Sequence, residues 1–253
     1  MKIEIIPCLK DNYSYLIIDE KNKSACVVDP SEAQPIINCL DKKNIQLAFI
    51  LNTHHHYDHV GGNNQLKKKY NAKVIGYIDD AKRIPEIDIL VKDGDIWSEN
   101  NFKAKITHIP GHTLGHICFH FFNEKNIFTG DTLFSLGCGK LFEGTYLQMH
   151  KSLNFFKSLP LETKVFCGHE YTLQNSKFCI KHDPNNKNLK NKIINIKKNL
   201  KNNLPTIPST IKDELECNIF LRSDNPDIQT KLNFNNNNSL ETFSKLRDLK
   251  DNF

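Results

Sequence analysis

The 253-residue sequence has no apolar run that approaches the length of a membrane span. Its amino terminus passes straight into Lys2-Ile-Glu-Ile-Ile6, with neither a signal-peptide core nor an Arg-rich presequence. A membrane association is therefore not expected, and the cytoplasm is the default compartment. Eight cysteines are present, but no two form a C-x-x-C pair. Cys8, Cys26, Cys39, Cys118, Cys138, Cys167, Cys179 and Cys217 are scattered, most of them among strand-like apolar neighbours, which points to buried, reduced thiols rather than a disulfide framework. No internal repeat is found. Between Pro184 and Lys212 there is no acidic residue, yet no aromatic is interleaved with the lysines there. A solvated helix face is the better reading than a groove for RNA.

What is present suffices for an ordinary globular protein. With 39% hydrophobic residues the chain can bury a full core in one large domain or two unequal ones. The net charge of +5 suits an anionic small molecule and falls short of a dedicated nucleic-acid binder. Lys2 to Ile6, Tyr13 to Asp19 and Ala25 to Val28 read as strands, and Asp29-Pro30 as a turn before a helix over Pro35 to Leu40. After a further strand over Leu47 to Leu51, Gln65 to Tyr70 read as helix and Lys73 to Ile78 as strand. Phe102 to Ile109, His116 to Phe122 and Ile127 to Phe128 give three more strands. The mixture suggests two sheets with helices outside them. From about Thr172 the texture turns to Asn and Lys, and Leu189, Ile193, Ile196 and Leu200 recur as the stripe of an amphipathic helix. Pro205 to Thr210 reads as an extended linker, Asn235 to Asn238 as a loop insertion and Glu241 to Phe253 as a last helix. The expected division is thus a first domain over residues 1–171 and a helical second one over 172–253.

The chemistry is concentrated in residues 53 to 62, where His54, His56, Asp58 and His59 give the spacing H-x-H-x-D-H. Side chains two apart converge on an extended or tightly bent backbone, not on a helix. The apolar run Leu47 to Leu51 before them reads as a buried strand, and Gly61-Gly62 after them allows a tight turn into a helix. Metal ligands at the carboxyl end of a strand are the natural reading, because a histidine-rich tag would not alternate ligands with Asp after a buried strand. Three later motifs each add one donor. They are Pro110-Gly-His112-Thr-Leu-Gly-His116, Phe128-Thr-Gly130-Asp131-Thr132 and Phe166-Cys-Gly168-His169-Glu170. Together the donors are five imidazoles and two carboxylates, enough for two divalent ions that share a water or a carboxylate.

On these motifs the chain resembles the metallo-β-lactamase-fold hydrolases, and among them the glyoxalase II (hydroxyacylglutathione hydrolase) family. The likeness extends to Gly137-Cys-Gly-Lys140, Cys167-Gly-His-Glu-Tyr171, Pro205-Thr-Ile-Pro-Ser-Thr210 and Arg247-Asp-Leu-Lys250. It implies an α+β fold, an αββα sandwich followed by a helical domain that helps to bind glutathione. It also implies that His54, His56 and His112 hold a first metal, Asp58, His59 and His169 a second, and that Asp131 bridges them. Zinc is the first expectation, with iron or manganese as alternatives. Asp58 would be a ligand that also orients the attacking hydroxide. Lys140, Phe142, Tyr171, Arg247 and Lys250 match the positions that hold glutathione, although Phe142 stands where the family often has Tyr and lacks its hydroxyl.

The implied reaction is hydrolysis of S-D-lactoylglutathione and related 2-hydroxyacylglutathiones to D-lactate and glutathione, the second step of methylglyoxal detoxification. A thiolate with a pKa near 8.5 leaves without a strong general acid, and no obvious extra acid stands outside the ligand set, in keeping with a thioester. The implied partner is this small thioester, with no nucleic acid and no membrane, and the chain is expected to act as a monomer. Other readings are a persulfide dioxygenase, a metal-dependent nuclease or a non-catalytic binding protein; the last should have lost ligands, and none is missing. His55 is expected to turn away from the ligands, toward the fold or a supporting carboxylate. His108, His116, His120, His150 and His182 read as core or surface residues, and Asp29 as either a turn residue or an acceptor for a ligand imidazole.

Overall fold

The computed structural model describes residues 1–234 and 238–253; of the expected loop insertion, Asn235 to Asn237 lie outside the described residues. The chain divides into two compact units, one of Met1–His108 with Gly115–Gly130 and one of Ile109–Leu114 with Asp131–Phe253.

The first unit opens with β1 (Lys2–Cys8), β2 (Asn12–Asp19) and β3 (Ser24–Val28), paired antiparallel in chain order. Helix α1 (Ala33–Lys43) then crosses over to β4 (Gln46–Leu51), which runs parallel to β3. Short α2 (Tyr57–Val60) and α3 (Asn63–Tyr70) carry the chain to β5 (Lys73–Tyr77), and β6 (Ile87–Val91) completes the parallel half. Parallel neighbours require such crossovers. The sheet's outer face is covered by α1 and α3, where Ile36, Ile37, Leu40 and Leu66 pack on Leu16, Val27, Leu47 and Val74. A second, antiparallel ladder follows, from β7 (Ile96–Glu99) and β8 (Phe102–His108) to β9 (Ile117–Phe121) and β10 (Asn126–Gly130). Aromatic edges join the two sheets: Phe49 of β4 meets the rings of Trp97 and Phe102 at 5.1 and 6.2 Å, and Tyr15 of β2 meets Phe128 at 5.4 Å. Strands β6 and β7 are not foreseen from the sequence; along them only Val91 and Trp97 are buried.

Gly61 and Gly62 do not serve the purpose the sequence suggests. Both have right-handed helical angles, so no special turn conformation is used. What they supply is room, since a Cβ would lie 2.6 Å from the Ser31 carbonyl at Gly61 and 2.9 Å from the Pro30 carbonyl at Gly62. The ligand-bearing segment is thereby pressed against the turn after β3.

In the second unit, β11 (Leu133–Phe134) and β12 (Gly137–Cys138) form a small hairpin. Helix α4 (Tyr146–Lys157) starts at a capping box in which Thr145 and Gln148 satisfy each other's backbone N–H groups. Strand β13 (Lys164–Cys167) leads into α5 (Thr172–His182) and α6 (Lys187–Lys201). The linker expected to be merely extended ends in β14 (Ser209–Thr210), which pairs antiparallel with β13 and caps α7 (Ile211–Cys217) through Thr210 and Asp213. Two more helices follow, α8 (Pro226–Lys231) and α9 (Ser239–Asp251). Buried Phe178, Phe220 and Phe243 form an aromatic spine between α5 and α9. On α6, Leu189 and Ile196 of the expected stripe are buried, while Lys187, Lys190, Lys197, Lys198 and Lys201 face solvent. All eight cysteines are free, and all but the half-buried Cys39 are buried.

Candidate metal centre and substrate cleft

Parallel strands β3, β4 and β5 end at one edge, and each delivers a residue there: Asp29, the segment from Asn52 to His59, and Asp80 after a short 3-10 turn. Asp29 is both of the things the sequence allowed. Its φ of 48° makes it a turn residue, and its carboxylate accepts from the Thr53 backbone N–H at 2.8 Å, from Thr53 Oγ1 at 2.7 Å and from His59 Nδ1 at 3.0 Å. These bonds fix two tautomers. His59 donates its Nδ1–H to Asp29, so its Nε2 presents a lone pair; that atom lies 3.7 Å from Asp58 Oδ2. Because the Thr53 hydroxyl gives its proton to Asp29, it can only accept from His54 Nδ1 at 3.0 Å, and His54 Nε2 is likewise a lone pair.

The His54 ring stands 4.7 Å from His56 and 4.2 Å from His59. Asp58 is oriented by Asn12, whose side-chain amide donates to its Oδ2 at 3.0 Å and to its backbone carbonyl at 3.2 Å. Asn52 donates to the His59 carbonyl and accepts from Asn63, which clips the segment to α3. As expected, His55 turns away, to a carboxylate oxygen of Asp80 at 3.2 Å. His116 is structural, its ring stacked on His54 at 4.5 Å. His108 stacks on Tyr77, and buried His120 has its pKa lowered by desolvation.

In the second unit His112 and His169 aim Nε2 at one oxygen of Asp131, at 3.5 and 3.4 Å. His112 Nδ1 donates to the Lys140 carbonyl at 2.7 Å, which leaves Nε2 as a lone pair facing an anion. Lone pairs and carboxylates turned toward each other repel unless a cation lies among them. In both units, then, the donor set fits a divalent ion. Gly139 is required by this geometry, because a Cβ there would lie 1.9 Å from the Asp131 carbonyl oxygen. Phe142 sets its edge on the His112 ring at 5.2 Å and is 63% exposed.

Beside the second-unit donors is a cleft of about 330 Å³ lined by Phe134, Cys138, Lys140, Tyr171, Gln174, Asn175, Arg247, Lys250 and Asp251. Tyr171 connects the two features, for its ring stacks on His169 at 4.7 Å. Lys140, Tyr171, Arg247 and Lys250 are thus gathered at one place, and Phe142 stands outside the lining. Arg247 is 4% exposed, and it donates to the Cys138 carbonyl at 2.8 Å and to Asp251 at 2.9 Å. Arg247 and Lys250, three apart on α9, both line the cleft, but their surroundings differ. Lys250 lies over the Phe178 and Phe253 rings, and burial, then the neighbouring Arg247 charge, lower its pKa. Gln174, Asn175 and Asp251 were not legible as lining residues; only the position of Asp251 beside Lys250 gave a hint.

A model of the metallo-β-lactamase superfamily matches residues 10–169, and a model of the hydroxyacylglutathione hydrolase C-terminus matches residues 170–253. A hydroxyacylglutathione hydrolase of Pelagibacter ubique is 67% identical over 253 residues, covering 100% of both chains. The chain belongs to the hydroxyacylglutathione hydrolase family. Among solved structures, ETHE1 from Myxococcus xanthus superposes with a TM-score of 0.71 at 21% identity, over 98% of this chain and 90% of that one, which shows the fold alone. TTHA1623, solved in a di-iron-bound form, gives a TM-score of 0.56 at 25% identity, over 67% of this chain and 92% of its own. The hydroxyacylglutathione hydrolase family membership accounts for the metallo-β-lactamase fold and the helical carboxyl-terminal part, and the His and Asp clusters mark this member as a divalent-metal protein. No described helix is long and apolar enough to cross a membrane.

Proposed function

We propose that the chain hydrolyses S-D-lactoylglutathione and related 2-hydroxyacylglutathiones to the free hydroxy acid and glutathione. The observation that carries this reading is the cleft in which Lys140, Arg247 and Lys250 face a single carboxylate, Asp251, with Tyr171 stacked on His169 as its wall. Its cationic excess suits glutathione, which carries two carboxylates and one amine. Full-length relatives named as hydroxyacylglutathione hydrolases support the same reading and do not favour a persulfide dioxygenase or a nuclease. Residues 1–171 are read as the metal-binding catalytic part and 172–253 as the part that helps to hold glutathione. The working unit is taken as a monomer, acting in the cytoplasm.

Two ions, zinc first, are assigned to His54, His56 and His112 and to Asp58, His59 and His169, with Asp131 shared. The donor chemistry supports the assignment, and so does the di-iron form of TTHA1623. Divalent ions in such a set lower the pKa of water to about 7 and polarise a carbonyl, so no separate protein base is required. Asn12 holds Asp58 in one orientation, and Asp29 keeps the Nε2 atoms of His54 and His59 free of protons. Tyr171 and Lys140 fix the thiol carrier so that the thioester carbon faces the donors. The departing thiolate needs no acid at neutral pH. The test follows loss of thioester absorbance with S-D-lactoylglutathione and with a simple thioester that lacks glutathione. A kcat/KM at least a hundredfold higher on the first is expected; equal values would remove glutathione as the carrier.

A further inference from the structure

His55 is a residue of the H-x-H-x-D-H segment to which the metal chemistry gives no task, and Gly115 sits in a turn without the positive φ that would itself call for glycine. One buried side chain accounts for both. Asp80 is 0% exposed. Its Oδ1 accepts from Arg83 Nε at 3.0 Å and also from Arg83 Nη2, and its Oδ2 lies 3.2 Å from His55 Nδ1. Arg83 Nη1 closes the ring at 3.3 Å from His55 Nε2. An arginine can only donate, so His55 Nε2 accepts and its Nδ1 carries the proton given to Asp80. Each of the three side chains therefore dictates the orientation of the other two. The same carboxylate lies against the Gly115 backbone, where a Cβ would be 2.2 Å from Asp80 Oδ1. Residue 115 precedes His116, whose ring stacks on His54 at an interplanar angle of 17°.

We infer that Asp80 is a positioning residue for the metal segment. It holds the His55 ring on its own carboxylate, and with that side chain drawn away the rings of His54 and His56 meet at 4.7 Å. Through Gly115 it also sets the depth of His116 behind His54. The inference rests on the metal-binding reading given above, but concerns how tightly the ion is held rather than which thioester is cleaved.

The test measures zinc affinity of the full chain by competition with a chromophoric chelator, beside thermal unfolding of the metal-free protein. In Asp80→Asn an amide N–H2 would face the His55 Nδ1–H, donor against donor, and zinc affinity should fall tenfold or more, the scale found when the partners behind ligand residues are removed. His55→Leu should fall by a similar factor. His55→Asn retains an N–H for Asp80 and should stay within about threefold of the wild type. The double variant Asp80→Asn with His55→Leu should bind no more weakly than the poorer single one, because both remove one arrangement. Wild-type zinc affinity in folded Asp80→Asn and His55→Leu, or losses that multiply in the double variant, would overturn the inference. Should Asp80→Asn fail to fold, the contrast between His55→Leu and His55→Asn decides. The substrate reading fails separately: a wild-type chain that binds zinc but does not cleave S-D-lactoylglutathione would contradict that reading alone, and the affinities of the variants would still decide the role of Asp80.

Discussion

The carboxylate of Asp29 lies 3.0 Å from Nδ1 of His59 and reaches His54 through the hydroxyl of Thr53, so one acid controls the tautomers of two histidines of the candidate metal centre. Asp29→Asn keeps a residue that accepts the left-handed φ of 48° but loses one acceptor oxygen. Bound metal after dialysis should fall, with affinity lower by about 10- to 100-fold and only a modest change in Tm. Asp29→Ala should show the same metal defect with an added loss of stability of about 1–3 kcal/mol, since alanine at that φ is strained. Undiminished metal content in Asp29→Asn would show that the tautomers are set elsewhere.

Lys250 gives a pH dependence whose direction follows from its surroundings. Burial and the Arg247 charge depress its pKa, so its charge is lost at lower pH than that of an exposed lysine. KM for a glutathione thioester should accordingly rise with pH, beginning below the usual lysine range near 10.4. Lys250→Arg stays charged throughout and should remove this part of the rise, leaving only what the substrate's own amine contributes. An identical profile in Lys250→Arg would mean that the lysine charge does not act on the substrate.

The residues assigned to the metals stand out in the sequence because their spacing is itself a structural statement. His54, His56 and Asp58 alternate directly after the buried end of β4, and His112, Asp131 and His169 each sit where a glycine marks the end of an element. The supporting shell was legible only in part. Asp29 beside Pro30 looks like any turn, and nothing local to Asp80 or Arg83 reveals that both close on His55 from about 25 residues away in the chain. The burial of Arg247 was not legible for a related reason. A charged residue near a carboxyl terminus reads as exposed, yet the Phe220 ring lies under the guanidinium at 5.3 Å, and its Nη1 and Nη2 donate to Cys138 and Asp251. The burial of α9 against the aromatic spine was not encoded within that helix.

Phe142 offers a gain-of-function test. It packs its edge on His112 with much of the ring exposed, and Lys140 Nζ lies 5.9 Å from its centre. A hydroxyl added by Phe142→Tyr should restore a bond to the carrier and lower KM by about fivefold, corresponding to about 1 kcal/mol, with little change in kcat. A KM that stays constant or rises would show that this chain holds glutathione without help at position 142.

The most direct measurement of the central claim is a titration of the metal-free protein with zinc, in which bound metal and hydrolysis of S-D-lactoylglutathione are followed on the same samples. Turnover should be absent without metal, rise as ions bind and level off at two per chain, and Asp131→Ala should lower occupancy and turnover together because it removes the shared carboxylate. Hydrolysis by the metal-free chain, or full turnover in Asp131→Ala with two ions retained, would contradict the account.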